Sequence, residues 1–317
     1  MTSDLQTTLA GQAALKGAGV HAGVDAHLVL KPAGADTGIV FSRTFADQAP
    51  RRIAVSRQSV QATDLATVLG DRSGALVATV EHVLAALSGL GVDNAEVEID
   101  GPEVPILDGS AAQIVAAVDS VGIAPLSGRR KYLKVLKPVR VENGASFGEL
   151  SPYDAGCRLE VEIEFDHHAI GRQRFAGTLS PGVFRRELAP ARTFGFLRDV
   201  ERLRGAGYAL GASLDNTVCL DADGVMNAEG LRFSDEFVRH KALDAVGDLA
   251  LAGLPLLARY RSFRGGHKLN FQVVDALLAD RSAFAVVEAP ARTRREAAEL
   301  SVGGSVGAPV LAYAPER

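Results

Sequence analysis

Two stretches of strict alternation, one in each half of the chain, constrain the fold most. Ala95, Val97 and Ile99 interleave with Glu96, Glu98 and Asp100, and Leu159, Val161, Ile163 and Phe165 interleave with Arg158, Glu160, Glu162 and Glu164. A period of two puts one set on a buried face and the other in water, as in a sheet solvated on one side. Such a sheet must lay its apolar face on another layer, and helical periodicity supplies one in both halves. In the front half a helix is expected from Thr79, as N-cap, through Leu90, with Val83, Leu84, Ala86, Leu87 and Leu90 as its apolar face. A second opens at Ser110, which has capping-box spacing to Gln113, and ends near Gly122. In the back half one helix runs from about Asp235 to Ala252 behind Ser234 as N-cap, and another from about Leu269 to Ala279.

The order of elements therefore predicts an α+β fold of two similar domains, each a β-sheet layered on a helix pair (a β-α-α-β sandwich). The polar joint Gly128-Arg129-Arg130-Lys131 marks the boundary, giving domains 1–127 and 128–317. Residues from about 195 to 226, with turns at Gly205, Gly207 and Gly211, form a small insert in the second domain, and a loosely held tail begins near Ala291.

Composition removes several function classes. A chain of 317 residues, 47% hydrophobic, can bury two cores. A net charge of −4 lacks the electrostatic footprint of a nucleic-acid binder. Two cysteines, Cys157 and Cys219, exclude a disulfide framework and a Cys-rich zinc site, so any metal must be held by imidazole and carboxylate. No apolar run reaches the roughly 18 residues of a membrane span. The start, Met1-Thr2-Ser3-Asp4-Leu5, has no cationic segment before an apolar one, so no signal peptide and a cytoplasmic location are expected. No coiled-coil seam is visible, and a monomer is expected.

Four local patterns carry chemistry. His240, Asp244 and Asp248 stand at i, i+4 and i+8, and so stack along one helix face as ligands or orienting groups for a metal. A solvated His–Asp pair is the alternative reading. Thr79-Val80-Glu81-His82 sets a Glu beside a His, as in metallohydrolases where the His binds metal and the Glu activates water. An ordinary acidic helix start is the alternative. Taken together, His82, His240 and Asp244 make three ligands and leave an open fourth position, the ligand count of a catalytic site. Gly265-Gly266-His267 places an imidazole on a short loop entering a helix, and Ala191-Arg192-Thr193-Phe194 sets a hydroxyl beside aromatics at a strand end. His21, His27, His167 and His168 read as structural or surface residues.

With these patterns in order, the chain resembles the UDP-3-O-acyl-N-acetylglucosamine deacetylases, zinc amidases of lipid A biosynthesis. The resemblance rests on G-A-G-V-H-A-G (17–23), T-V-E-H-V-L-A-A-L-S-G-L-G-V-D-N-A (79–95), E-V-P-I-L-D-G-S-A (103–111), A-R-T-F-G-F (191–196), L-R-F-S-D-E-F-V-R-H-K-A-L-D-A-V-G-D-L (231–249) and G-G-H-K-L-N (265–270). It implies a metal, Zn2+ or Fe2+, held by His82, His240 and Asp244 between the domains. Glu81 becomes the general base, His267 the protonated partner oriented by Asp248, and Thr193 an oxyanion stabiliser. Lys241 and Phe194 would contact the sugar nucleotide, and Val200, Ala209, Ser213, Thr217 and Cys219 would line a passage for the acyl chain. The implied substrate is a UDP-linked acylated N-acetylglucosamine. The chain departs from the usual family residues at Val83, at His168 and at Arg264-Gly265, and none of these removes a ligand. A sugar-nucleotide or lipid binder with a structural metal, and a different metal amidase or esterase, remain as competing readings.

Overall fold

The computed structural model describes residues 4–71, 74 and 76–289. It is a mixed α+β molecule with two main sheets. The first has five strands in the order Ala13–Ala18, Asp25–Pro32, Ala95–Ile99, Ile39–Phe45, Gln48–Ala54. The second has seven and is built around the long strand Leu256–Phe263. That strand pairs with Ser146–Pro152 on one side, and on the other with Lys131–Val135 and then Cys157–Glu164. Among the described residues no sheet joins strands from both sides of residue 130.

The alternation read from the sequence is the burial pattern observed. Ala95, Val97 and Ile99 are fully buried, as are Leu159, Val161 and Ile163, while the acidic residues between them are only partly covered. The helices are α1 (Glu81–Leu90), α2 (Ala112–Val121), the short α3 (Pro181–Val183) running into a π-helical turn at Phe184–Leu188, α4 (Leu197–Gly205), α5 (Glu236–Leu249) and α6 (His267–Ala279). Helix α1 packs on α2 and, most extensively, on α5, which packs in turn on α6 and on the second sheet. The two central helices therefore meet in the middle of the sandwich. At the contact a Cβ on Gly247 of α5 would collide with the carbonyl oxygen of Glu81, so only glycine permits this approach.

The predicted caps are not the observed ones. Thr79 does not cap α1: its backbone is left-handed (φ 58°), its hydroxyl donates to Glu103, and Val80 occupies the N-cap position. Ser110 lies one residue too early for a capping box. It donates to Asp108 and accepts from the Ala112 amide, and Ala111 takes the cap position of α2. Ser234 is displaced by Asp235, whose carboxylate pairs with Arg239 at 2.5 Å. The helix bodies matched because their apolar periodicity is set by burial. The caps at Thr79 and Ser110 did not, because Glu103 and Asp108 take up their hydroxyls. Helix α6 starts two residues earlier than expected, which makes His267 its first residue.

The insert holds a three-stranded sheet (Phe194–Phe196, Val218–Asp221, Gly224–Val225) and α4, a helix the sequence reading did not anticipate. Its signal is Leu197, Val200 and Leu203 at three-residue spacing among charged residues. The expected tail from Ala291 lies outside the described residues.

Candidate active site

The first turn of α1 carries Glu81 and His82, and one stripe of α5 carries His240, Asp244 and Asp248. Close packing of these two helices brings both sets to one point, where all five side chains are buried. The nitrogens and carboxylate oxygen that His82, His240 and Asp244 can offer lie within 4.8 Å of one another. Asp244 Oδ1 is 3.3 Å from His240 Nε2 and 3.6 Å from His82 Nε2. Tetrahedral zinc with bonds of about 2.0–2.1 Å holds its ligand atoms about 3.4 Å apart, so these spacings fit such an ion.

Two further observations support a cation there. Asp244 Oδ1 is buried and has no hydrogen-bond partner, a costly state unless a cation faces it. His240 Nδ1 lies 3.0 Å from the Ala191 carbonyl, which makes it the donor and leaves the Nε2 lone pair free to bind metal. Burial pushes the His240 imidazole down to about 4, so it is neutral at physiological pH. The Asp244 carboxyl is held well below the usual carboxylate range. Burial opposes this, but His240, Lys241, His82 and His267 outweigh it.

Around these three stand a base and an acid with opposite electrostatics. Glu81 Oε2 accepts from the Thr67 amide at 3.0 Å. Burial raises its pKa above the ordinary value, against the lowering effect of His267 and His82. His267 Nε2 is 3.7 Å from Glu81 Oε1, while its Nδ1 sits 2.9 Å from Asp248 Oδ2. Burial pushes the His267 imidazole down, but Asp248, Glu81 and Asp244 together push it up to about 10. The N-terminus of α6 disfavours a cation by only about 0.3–1 kcal/mol, too little to reverse that. Asp248 is itself held in place, accepting from Thr67 Oγ1 at 2.6 Å and Asn270 Nδ2 at 2.8 Å, and Asn270 Oδ1 accepts from Tyr260 at 2.6 Å.

These groups open onto a cavity of about 420 Å³ that runs under the insert. Glu81, His82, Thr193, Phe194, Val200, Ala209, Ser213, Thr217, Cys219, His240, Lys241, Asp244 and His267 all line it, whereas Asp248 lies behind His267. Its walls are largely apolar, with Ile106, Leu197, Leu203, Leu214 and Met226 on the insert side and beneath it. Thr193 is positioned by its amide, which donates to the Gly109 carbonyl at 2.7 Å, and by neighbouring Arg192, buried against Glu236 at 2.9 Å. Lys241 Nζ is 3.0 Å from Asp244 Oδ2 and 5.6 Å from the centre of the Phe194 ring. A second opening, about 330 Å³, shares Lys241 and His267 and adds Arg264 and Lys268.

Sequence reasoning missed Thr67, Asn270, Tyr260 and His21. The first three are ordinary residues whose roles come only from their neighbours. His21, read as a structural or surface residue, is half-buried and lines the cavity. Its signal was the flanking glycine-rich run, which is there to bring the backbone close. Burial pushes the His21 imidazole below its ordinary value, with Glu103 opposing. His27, paired with Asp100 at 2.8 Å, is exposed as expected.

Known proteins point the same way. The family described as UDP-3-O-acyl N-acetylglycosamine deacetylase matches residues 6–279. Proteins named UDP-3-O-acyl-N-acetylglucosamine deacetylase from Brucella ovis, Brucella canis and Brucella melitensis are each 55% identical to the chain over 286 residues, covering 90% of it and 99% of their own length. The chain belongs to the UDP-3-O-acyl N-acetylglycosamine deacetylase family.

Proposed function

We propose that the chain hydrolyses the acetamide of UDP-3-O-(3-hydroxyacyl)-N-acetylglucosamine, releasing acetate and the free amine, with a divalent metal held by His82, His240 and Asp244. The observation that carries this reading is the buried, partnerless Asp244 Oδ1 facing two imidazole nitrogens, between a raised carboxyl and a raised imidazole. A bound Zn2+ would polarise the amide carbonyl and bring the pKa of water from 15.7 towards about 7. The same imidazole and carboxylate donors accept Fe2+.

The chain's own residues do the proton work. Glu81 takes a proton from the attacking water as its oxygen bonds to the amide carbon. The Thr193 hydroxyl and cationic His267 stabilise the negative charge on the former carbonyl oxygen, a contribution of roughly 3–4 kcal/mol for one well-placed donor. His267 then protonates the amine as the C–N bond breaks. Asp248 keeps His267 charged and aimed. Lys241 and Phe194 face the sugar nucleotide. Val200, Ala209, Ser213, Thr217 and Cys219 line the passage for the acyl chain, where each buried CH₂ is worth about 0.8 kcal/mol.

We assign the halves on either side of residue 128 to two domains that share this site, in a monomer acting in the cytoplasm. Among the described residues no helix is long and apolar enough to cross a membrane. The deciding measurement is acetate release from the UDP-linked substrate with and without a chelator. Glu81→Ala should keep one metal per chain and lose turnover by about 10²–10⁴-fold. Near-normal turnover in that variant would remove Glu81 as the base, and chelator-resistant turnover would remove the metal.

A further inference from the structure

One buried carboxylate outside the reacting cluster is used by two segments of the cavity wall at once. Glu103 is almost fully buried. It accepts from the His21 amide (3.0 Å to Oε1, 3.1 Å to Oε2), from the Ala22 amide (2.6 Å to Oε2) and from the Thr79 hydroxyl (2.7 Å to Oε1). The first two donors belong to the loop 19–23, which carries His21 into the cavity. The third is the left-handed Thr79, two residues before Glu81. Backbone pairing supports the same junction: the Ala78 amide donates to Pro102 and the Val104 amide to Ala78, both at 3.0 Å.

The far side of the loop is held by the insert. The Leu210 amide donates to the His21 carbonyl and the Gly211 amide to the Val20 carbonyl, both at 3.1 Å, and the Tyr208 ring meets the His21 ring edge-on at 5.7 Å. The His21 and Ala22 amides thus point to Glu103, and the Val20 and His21 carbonyls to the insert. A Cβ on Gly19 would collide with the Glu103 carboxylate, so the loop lies directly on that group. Left without its acceptor, the loop would have two inward amides unsatisfied and would be held from the insert side alone, which loosens His21.

We propose that Glu103 is a positioning residue for the deacetylation site, holding the His21 loop and the Thr79 turn against the reacting cluster. This rests on the function proposed above. The charge does its work through acceptance by fixed donors, so an isosteric amide that turns an N–H towards one of them should loosen the loop while leaving the metal ligands in place.

The test uses the full-length, metal-loaded enzyme and the variants Glu103→Gln, His21→Ala and the double variant. Glu103→Gln should retain one metal per chain and lose 10-fold or more in kcat/KM per bound metal. The double variant should fall no further than the weaker of the two singles, because both changes act on one unit. Wild-type kcat/KM in a folded Glu103→Gln protein overturns the inference. So do multiplicative losses in the double variant, or a loss confined to metal content. Should Glu103→Gln fail to fold, Gly19→Ala displaces the carboxylate while keeping its charge, and an unchanged kcat/KM there overturns the inference equally. Amide hydrogen exchange gives a readout free of activity: His21 and Ala22 should exchange at least 10-fold faster in the variant, and equal protection counts against Glu103. If wild-type protein releases no acetate, the function reading fails, and amide exchange still decides whether Glu103 holds the loop.

Discussion

Replacing Asp248 with asparagine tests the electrostatic core of the site. Asp248 Oδ2 lies 2.9 Å from His267 Nδ1, with Asp248 fully buried and His267 partly so. Two unit charges at that distance attract by about 6 kcal/mol at an effective dielectric of about 20. Raising an imidazole from its ordinary 6.5 to about 10 requires on the order of 5 kcal/mol net of burial, so Asp248 alone is of the size of that net rise, with Glu81 and Asp244 helping to offset burial. Asp248→Asn keeps the shape and removes the charge. His267 should then fall to its ordinary value or lower.

In the proposed mechanism His267 must be protonated and Glu81 must not. Activity therefore falls at low pH as Glu81 takes a proton, and at high pH as His267 loses one. In Asp248→Asn the alkaline limb of log kcat/KM against pH should move from near 10 to below about 7.5, with at least a tenfold loss at pH 8.5. The acid limb should move slightly to lower pH, since Asp248 raises Glu81. Metal-free protein should show the linked effect on stability. A raised imidazole contributes stability that is fully present below about 6.5 and lost as pH climbs to about 10, and the variant should lack that slope. An alkaline limb that stays near 10 in the variant refutes the assignment of Asp248 as the group that keeps His267 charged.

Other perturbations follow from the same geometry. His82→Ala and His240→Ala should each reduce bound metal from one per chain to near zero and abolish acetate release, read by metal analysis beside the assay; full metal retention in either speaks against the ligand set. Gly247→Ala forces a methyl onto the Glu81 carbonyl and should cost about 1–3 kcal/mol, lowering Tm by several degrees and turnover with it; unchanged Tm would show that the helices give way freely. Cys219→Trp should narrow the cavity and raise KM for long-acyl substrates far more than for short ones, whereas equal effects on both would move the acyl chain elsewhere.

Each residue's contribution to the fold was legible wherever burial alone decides. The period-two strands at 95–99 and 158–164 and the bodies of α1, α2, α5 and α6 follow from which side chains must leave water. Spacing along one helix likewise placed His240, Asp244 and Asp248 on a common stripe, because helix geometry needs no knowledge of the rest of the chain. Caps at Thr79 and Ser110 differ because Glu103 and Asp108 take up their hydroxyls, while at α5 the cap position falls one residue after Ser234, at Asp235. The Thr79 partner, Glu103, lies 24 residues away, beyond any rule of local spacing.

The meeting of His82 with His240 and Asp244 could be argued from residue chemistry, but only the packing of α1 on α5 brings the atoms within reach of one ion. Tertiary structure alone also decided that Thr67, Asn270 and Tyr260 support Asp248, and that His21 faces the cavity. A helix dictates its own stripe from covalent geometry. Which stripes face each other depends on the whole set of buried surfaces, a property no local window of residues carries.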